Sequence, residues 1–191
     1  MQTNREISAK YDKWIIKLII KRKAFFVFWG NDKTDEDKNK MLLDSDDNLL
    51  LFKSPSAVLS YLGKKKSLFD DKNIRKWHKD FKKPGRADII IDIDLLQNAI
   101  LEFENRAIFE ELINAWSIVD DYAYQTENKK MLKICQSKQI KNLFDLNCNM
   151  YLWTSIEKNV QKNMKILDEE KVVELLEKLY ELFIEKVVIT K

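Results

Sequence analysis

The chain has 191 residues, of which 45% are hydrophobic and 34% are charged. This composition is typical of a folded globular protein and excludes a disordered, collagen-like or disulfide-stabilised chain. Lys and Arg number 34 against 31 Asp and Glu, so a net charge of only +3 does not by itself predict nucleic-acid binding. Three Gly and one His exclude a glycine-rich phosphate loop and a multi-histidine metal site.

Two features of the sequence bear on where the protein works. The N-terminal residues are polar, and no apolar stretch reaches the roughly 20 residues needed to cross a bilayer. Cys135 and Cys148 form no CxxC motif, which fits two small packing residues in a reducing compartment. We therefore expect a cytoplasmic protein with no membrane partner.

The first half of the chain predicts one helix and two strands. Apolar residues from 7 to 19 recur at helical spacing and predict an amphipathic helix, with the basic triplet 21–23 at its C-terminal end. The aromatic run Phe25–Trp29 predicts a buried strand, and Leu49–Phe52 predicts a second one. The polar segment 31–47 between them is expected to be a loop.

Helix-start and helix-stop residues place the next elements. Ser54 and Pro55 predict the start of a helix over 57–62, which Gly63 is expected to end. A further helix is predicted over 71–81.

The run from Ala87 to Asp94 predicts a buried strand, with Asp94 as the cap of the helix that follows. The second half of the chain is then mostly helical. Apolar spacing predicts helices over 95–103, 108–123 and 131–144, and a final helix capped by Asp168. Residues 147–153 fit a loop or an edge strand, and the tail 187–190 fits a strand or simple packing.

These elements together predict a helix-rich α+β fold with a small antiparallel sheet. No repeat and no low-complexity linker interrupts the sequence. We therefore expect a single domain over residues 1–191.

Charge is segregated along the chain although its total is small. Segment 64–86 has a net charge of +7, and 87–121 holds nine acidic residues against Arg106 alone, a net charge of −8. A third segment, 129–165, is basic again. Such blocks can steer an oppositely charged partner, or they can neutralise each other within the fold, and the sequence leaves both interpretations open.

Five aspartates in the acidic block could suggest a metal-dependent hydrolase, because strand-end carboxylates often bind Mg²⁺. However, no phosphate loop and no nearby His accompany them, and Asp94 is more simply a helix cap. We predict no catalytic residue, no metal and no cofactor, and keep the hydrolase as an alternative. The five residues are Asp88, Asp92, Asp94, Asp120 and Asp121.

The basic segment offers a second alternative, nucleic-acid binding. Lysines attract phosphates and aromatic rings stack on bases, and Trp77 lies beside the single histidine, His78. Ile74, Trp77 and Phe81 nevertheless fall at helical spacing, so we predict that they face the core. We do not expect a nucleic acid to be the main partner.

The helix over 108–123 contains the most distinctive segment, Asn114–Asp121. We predict that Trp116 and Val119 point inward, whereas Asn114, Asp120 and Asp121 lie on polar or boundary faces. These polar residues could bind a neighbouring loop or a partner's basic side chain, or they could be ordinary polar flanks of a helix.

The order of these elements resembles that of small immunity proteins from bacterial polymorphic-toxin and contact-dependent growth inhibition systems. Many such proteins are compact α+β domains with an Asp-containing strand exit and an Asn/Trp…Asp helix. The resemblance covers roughly residues 25–185. It is carried by Phe25–Trp29, Leu49–Pro55, Leu68–Asp70 with Trp77, Ile91–Leu96 and Asn114–Asp121.

The resemblance implies that the protein binds and neutralises a cognate toxin domain, without catalysing a reaction. The acidic block is then the candidate toxin-facing surface, because carboxylates mimic the phosphates that a basic nuclease cleft binds. Two tyrosines are the candidate aromatic anchors. The predicted partner-binding residues are Asp92, Asp94, Glu102, Glu104, Asp120, Asp121, Tyr122 and Tyr124.

Overall fold

The computed structural model describes residues 3–81, 87, 89–152 and 157–190. The chain forms two compact units: unit 1 combines Met1–Ile91 with Lys186–Lys191, and unit 2 is the continuous segment Asp92–Glu185. The boundary falls inside a strand, Ile90–Asp92, and no low-complexity linker marks it in the sequence. That the whole chain behaves as one domain stays a prediction.

Unit 1 begins with a helix and an antiparallel hairpin. Helix α1 (Asn4–Tyr11) has a capping box at Thr3, and strands β1 (Lys13–Ile20) and β2 (Lys23–Asp32) follow it. The predicted helix over 7–19 is therefore wrong beyond Tyr11. Residues 14–20 are nearly all apolar and rich in isoleucine, so they fit strand spacing as well as helical spacing. Pairing with β2 along the whole of β1 decides the outcome.

The hairpin turn uses the basic residues that we predicted at a helix end. Lys21 and Arg22 both have positive φ, 50° and 59°, and Ile20 pairs with Lys23 across the turn. Two left-handed residues in a two-residue loop match the right-handed twist of the flanking strands. The turn contains neither glycine nor asparagine, the residues that usually indicate a two-residue hairpin loop, and the sequence patterns therefore did not predict it.

Four more strands complete unit 1. Strand β4 (Leu49–Leu51) was predicted, whereas β3 (Lys38–Met41) forms inside the predicted loop by antiparallel pairing with β2. Strand β5 (Ile90–Asp92) gives a four-stranded sheet with the order β3-β2-β1-β5. Strand β6 (Val187–Ile189) pairs with β4 in parallel, whereas β1, β2 and β3 pair in the antiparallel arrangement that we expected of the sheet.

Helices α2 (Pro55–Lys64) and α3 (Asp71–Asp80) are close to the predictions. The Ser54 hydroxyl accepts a hydrogen bond from the Ala57 amide at 3.2 Å, as expected of an N-cap. Gly63 does not end α2, because it lies within the helix without a positive φ. The core of unit 1 gathers residues from these helices and strands, including Ile7, Ile15, Phe28, Leu50, Phe52, Val58, Leu62, Ile74 and Trp77.

Unit 2 is helical. It begins with a 3-10 helix (Ile93–Leu96), followed by α4 (Arg106–Gln125), α5 (Lys129–Cys135) and α6 (Lys138–Asn147). A π-helical turn (Cys148–Leu152) then precedes α7 (Glu157–Ile166) and α8 (Glu169–Ile184). Asp168 caps α8 as predicted.

Unit 2 differs from the predictions in several details, among them the π-helical turn at Cys148–Leu152, where a loop or an edge strand was expected. The predicted helix over 95–103 is only the short 3-10 helix, and its cap is Asp92 rather than Asp94. The helix predicted over 131–144 is two helices, because the Ser137 hydroxyl caps α6.

The α+β, helix-rich fold class predicted from the sequence is confirmed. In the parts of the chain that the structure describes, no helix combines the length and the apolar character required to span a bilayer.

Candidate protein-binding site

An open groove of about 800 Å³ lies at the start of α4 in unit 2. It is lined by the loop residues 101–105, by Arg106 and Ala107 of α4, and by Met164 of α7. The groove therefore combines two of the predicted acidic residues, Glu102 and Glu104, with the apolar side chains of its lining.

Aromatic packing fixes the loop that carries these two glutamates. Phe103, between them, is buried and packs edge-on against Phe109 of α4, with 5.3 Å between ring centroids. The Phe103 carbonyl accepts a hydrogen bond from the Tyr151 hydroxyl. Asn105 then caps α4 through a hydrogen bond from the Ile108 amide. The loop is thus held at its centre and at its end, while both glutamates are exposed.

The one basic residue of the acidic block does not neutralise the groove. The Arg106 guanidinium lies 2.8 Å from the carboxylate of Glu110, one turn along the same helix, and 5.4 Å from the centroid of the Tyr151 ring. No ion pair joins Glu102 or Glu104 to any residue within the described ranges. The groove therefore presents two carboxylates that no described residue neutralises through an ion pair.

Asp92 and Asp94 have structural bonds at the exit of β5. The Asp92 carboxylate accepts a hydrogen bond from the Asp94 amide at 3.0 Å, and the Asp94 carboxylate accepts one from the Tyr180 hydroxyl at 2.9 Å. Burial raises the pKa of Asp92, and the charges of Asp94 and Glu111 add to the effect. These two aspartates organise the 3-10 helix rather than extend a free acidic surface.

The remaining four predicted residues lie in the last turns of α4. Burial raises the pKa of Asp120, although a hydrogen bond from the Cys135 thiol opposes the shift. Tyr122 is only 1% exposed and packs edge-on against Phe183 of α8, so its prediction as a surface anchor is wrong. Tyr124 is 55% exposed and its hydroxyl accepts a hydrogen bond from Gln136, so it remains available to a partner. Asp121 is half-buried.

The structure does not bring the predicted acidic residues into one patch. At 1.5 Å per residue, the helix between Arg106 and Asp120 is about 21 Å long. Glu102 and Glu104 precede one end of α4, whereas Asp120 and Asp121 lie near the other. Of the acidic residues predicted to bind a partner, only Glu102 and Glu104 are exposed, form no ion pair with a described residue and line a concave surface.

The inward-facing positions of the distinctive helix segment are as predicted. Trp116 and Val119 are buried in unit 2, and Asn114 is exposed. In unit 1, Trp77 is fully buried and Phe81 packs against it with 4.5 Å between ring centroids. The prediction that these aromatics belong to the core is confirmed.

The histidine and the two cysteines, which could in principle take part in catalysis or metal binding, have structural surroundings. His78 Nε2 lies 3.0 Å from the Leu59 carbonyl, which places the histidine between α3 and α2. Burial raises the pKa of the Cys135 and Cys148 thiols. Asp88 lies outside the described residues, and among those described no three His, Cys, Asp or Glu side chains are close enough to hold a metal ion.

Part of the groove was not predictable from sequence patterns. Met164 reaches it from α7, which follows Glu104 by more than fifty residues in the chain, and no local motif links the two. Tyr151, which holds the loop, lies in a segment whose spacing fitted a loop or a strand equally well. Only the density of acidic residues pointed to this region.

Comparisons with known proteins bear on the fold. The sequence matches no protein-family model and no curated protein. The chain is similar in structure to the C-terminal domain of SatS, whose crystal structure was solved in complex with bromine. The TM-score is 0.55 at 12% sequence identity, and the match covers 99% of this chain and 100% of that domain. At this identity the similarity shows a shared fold only.

Proposed function

We propose that the protein is an immunity protein, which binds a cognate bacterial toxin domain through the groove at the start of α4 and thereby blocks it. The supporting observation is the pair Glu102 and Glu104, which are exposed and form no ion pair with a described residue, on a loop fixed by buried Phe103. The resemblance described above supplies the class of partner.

The chemistry of the groove suits a basic protein segment. Carboxylates that have no partner of their own attract Lys and Arg, and complementary charge raises association rates and selects the partner. Leu101 and Met164 add apolar surface beside the charges, and binding energy usually concentrates at such apolar centres. Because the loop is already fixed, little conformational entropy is lost when a partner binds.

The direct test uses the protein encoded by the gene next to this one. If it is toxic when expressed alone, co-expression of the wild-type chain should restore growth. Glu102→Lys/Glu104→Lys should abolish this rescue and weaken binding at least about 100-fold, since charge reversal turns attraction into repulsion.

Glu177→Lys/Glu181→Lys on α8 is the matched control, because it makes the same change of charge at two exposed residues of unit 2. This control should bind within about twofold of wild type. Equal loss in both double variants would contradict the groove as the binding site. A non-toxic neighbouring product that does not bind would contradict the proposed function itself.

A further inference from the structure

Helix α3 in unit 1 carries a stripe of lysines on the side opposite the core. At 100° per residue, Lys72, Lys76 and Lys79 fall within about 60° of the helix circumference, and all three are exposed. Ile74 and Trp77, on the other side, are fully buried. The stripe extends about 10 Å along the helix axis.

A second group of lysines is held beside this stripe. Lys64 is the last residue of α2, Lys65 and Lys66 begin the connection to α3, and all three are exposed. The Arg75 guanidinium donates to the Leu62 carbonyl at 2.7 Å and also to the Lys65 carbonyl. Arg75 precedes Lys76 on α3, so its hydrogen bonds keep the connecting loop next to the stripe. We call the combined surface the lysine face: Lys64, Lys65, Lys66, Lys72, Lys76 and Lys79.

The acidic residues of the same segment are all engaged elsewhere. Asp70 pairs with buried Lys13 at 2.8 Å, and Asp71 pairs with Arg75 at 3.1 Å. Asp80 accepts a hydrogen bond from the Tyr11 hydroxyl at 2.6 Å and pairs with Lys10. No ion pair from a described residue reaches the lysine face. Among the described residues, none neutralises the six lysines of this face through an ion pair.

We propose that the lysine face binds the phosphate backbone of a nucleic-acid duplex. Phosphate contacts need positive charge at the surface and no base stacking, which fits a face whose nearby aromatic rings, Trp77 and Phe81, pack on each other instead. A membrane surface fits less well, because interfacial helices insert apolar side chains beside their lysines, and those of α3 are buried. This surface belongs to unit 1 and does not rest on the toxin-binding proposal.

The test measures fluorescence anisotropy of a labelled duplex of about 20 base pairs with the full chain, from about 50 to 300 mM NaCl. Each neutralised phosphate contributes about −0.9 to the slope of log K against log salt, so six lysines predict a slope of about −5. Lys72→Glu/Lys76→Glu/Lys79→Glu should weaken binding about tenfold or more.

The matched control is Lys158→Glu/Lys162→Glu/Lys165→Glu on α7, which changes the net charge equally at exposed residues of unit 2. It should retain most of the affinity. Absence of duplex binding by the wild-type chain, or equal weakening by both triple variants, would overturn the proposal. Binding to phosphatidylserine vesicles without binding to the duplex would also overturn it, because the partner would then be a membrane.

Discussion

The two units use charged and polar side chains in different ways. In unit 1 the Lys13 ammonium lies 2.8 Å from the Asp70 carboxylate, and both side chains are excluded from solvent. In unit 2 the corresponding links are neutral. The side-chain amide of Asn142 donates a hydrogen bond to the backbone carbonyl of Asn163 at 2.9 Å, and the side-chain amide of Asn163 donates one to the side-chain oxygen of Asn142. Unit 1 thus places charge in its interior, whereas the ion pairs described in unit 2 lie on its surface.

The difference teaches how each unit is held together. Lys13 also donates to the carbonyls of Tyr11 and Asn31, so a single ammonium joins the end of α1, the end of β2 and the start of α3. A buried charge is tolerated only with such complete pairing. In unit 2, α7 has no buried residue, and side-chain amide hydrogen bonds link it to α6.

The largest effect is expected from breaking the buried pair. Asp70→Asn leaves the Lys13 ammonium without its counter-charge and should lower the free energy of unfolding by about 3–5 kcal/mol. Chemical denaturation followed by tryptophan fluorescence measures this loss. Lys13→Met/Asp70→Leu removes both charges and should cost less than Asp70→Asn. The reverse order of these two variants would show that the pair is not the cause.

A smaller effect is expected at the amide link of unit 2. Asn142→Ala removes two hydrogen bonds and should cost about 1–3 kcal/mol, because the Asn163 groups lose a buried partner. Hydrogen exchange should become faster throughout α7 and stay unchanged in unit 1. Asn114→Ala, at an exposed site on α4, is the control and should leave α7 protected. Unchanged exchange in α7 for Asn142→Ala would contradict the role of the amides.

The smallest effect concerns a surface carboxylate of unit 1. Hydrogen bonds from the Lys38 and Lys40 ammonium groups lower the pKa of Asp35 from 3.8 to about 2. A carboxylate whose pKa is lower in the folded than in the unfolded state stabilises the fold at pH values above the ordinary pKa of Asp. This stabilisation is lost as the pH falls from about 4 towards 2. Asp35→Asn should therefore flatten this part of the profile of urea midpoint against pH. Superimposable profiles for the two proteins would contradict the assignment.

Elements with a local start signal were predictable from the sequence. Ser54 with Pro55, and Asp168 before two glutamates, mark helices whose apolar faces then follow, so α2 and α8 agree with the predictions. Strand β2 was equally clear, because its aromatic run suits no other element so well. These signals lie within a few residues of the element that they mark.

Elements decided by distant pairing were not predictable. Residues 14–20 become a strand because residues 23–29 pair with them, and β3 exists only as the partner of β2. The candidate site divides in the same way. The acidic residues were visible in the sequence, but only the fold separates exposed Glu102 and Glu104 from buried Tyr122 and from Asp94 bound to Tyr180.

The parallel pairing of β4 with β6 has a consequence for synthesis on the ribosome. Leu49–Leu51 emerges early, but its partner Val187–Ile189 is translated almost 140 residues later, after the whole of unit 2. Unit 2 can form from local contacts while translation continues, whereas the edge of β4 that pairs with β6 stays without this partner. Nascent chains released before residue 187 therefore lack this strand pair. Such a truncation should destabilise unit 1, which contains both strands, more than unit 2.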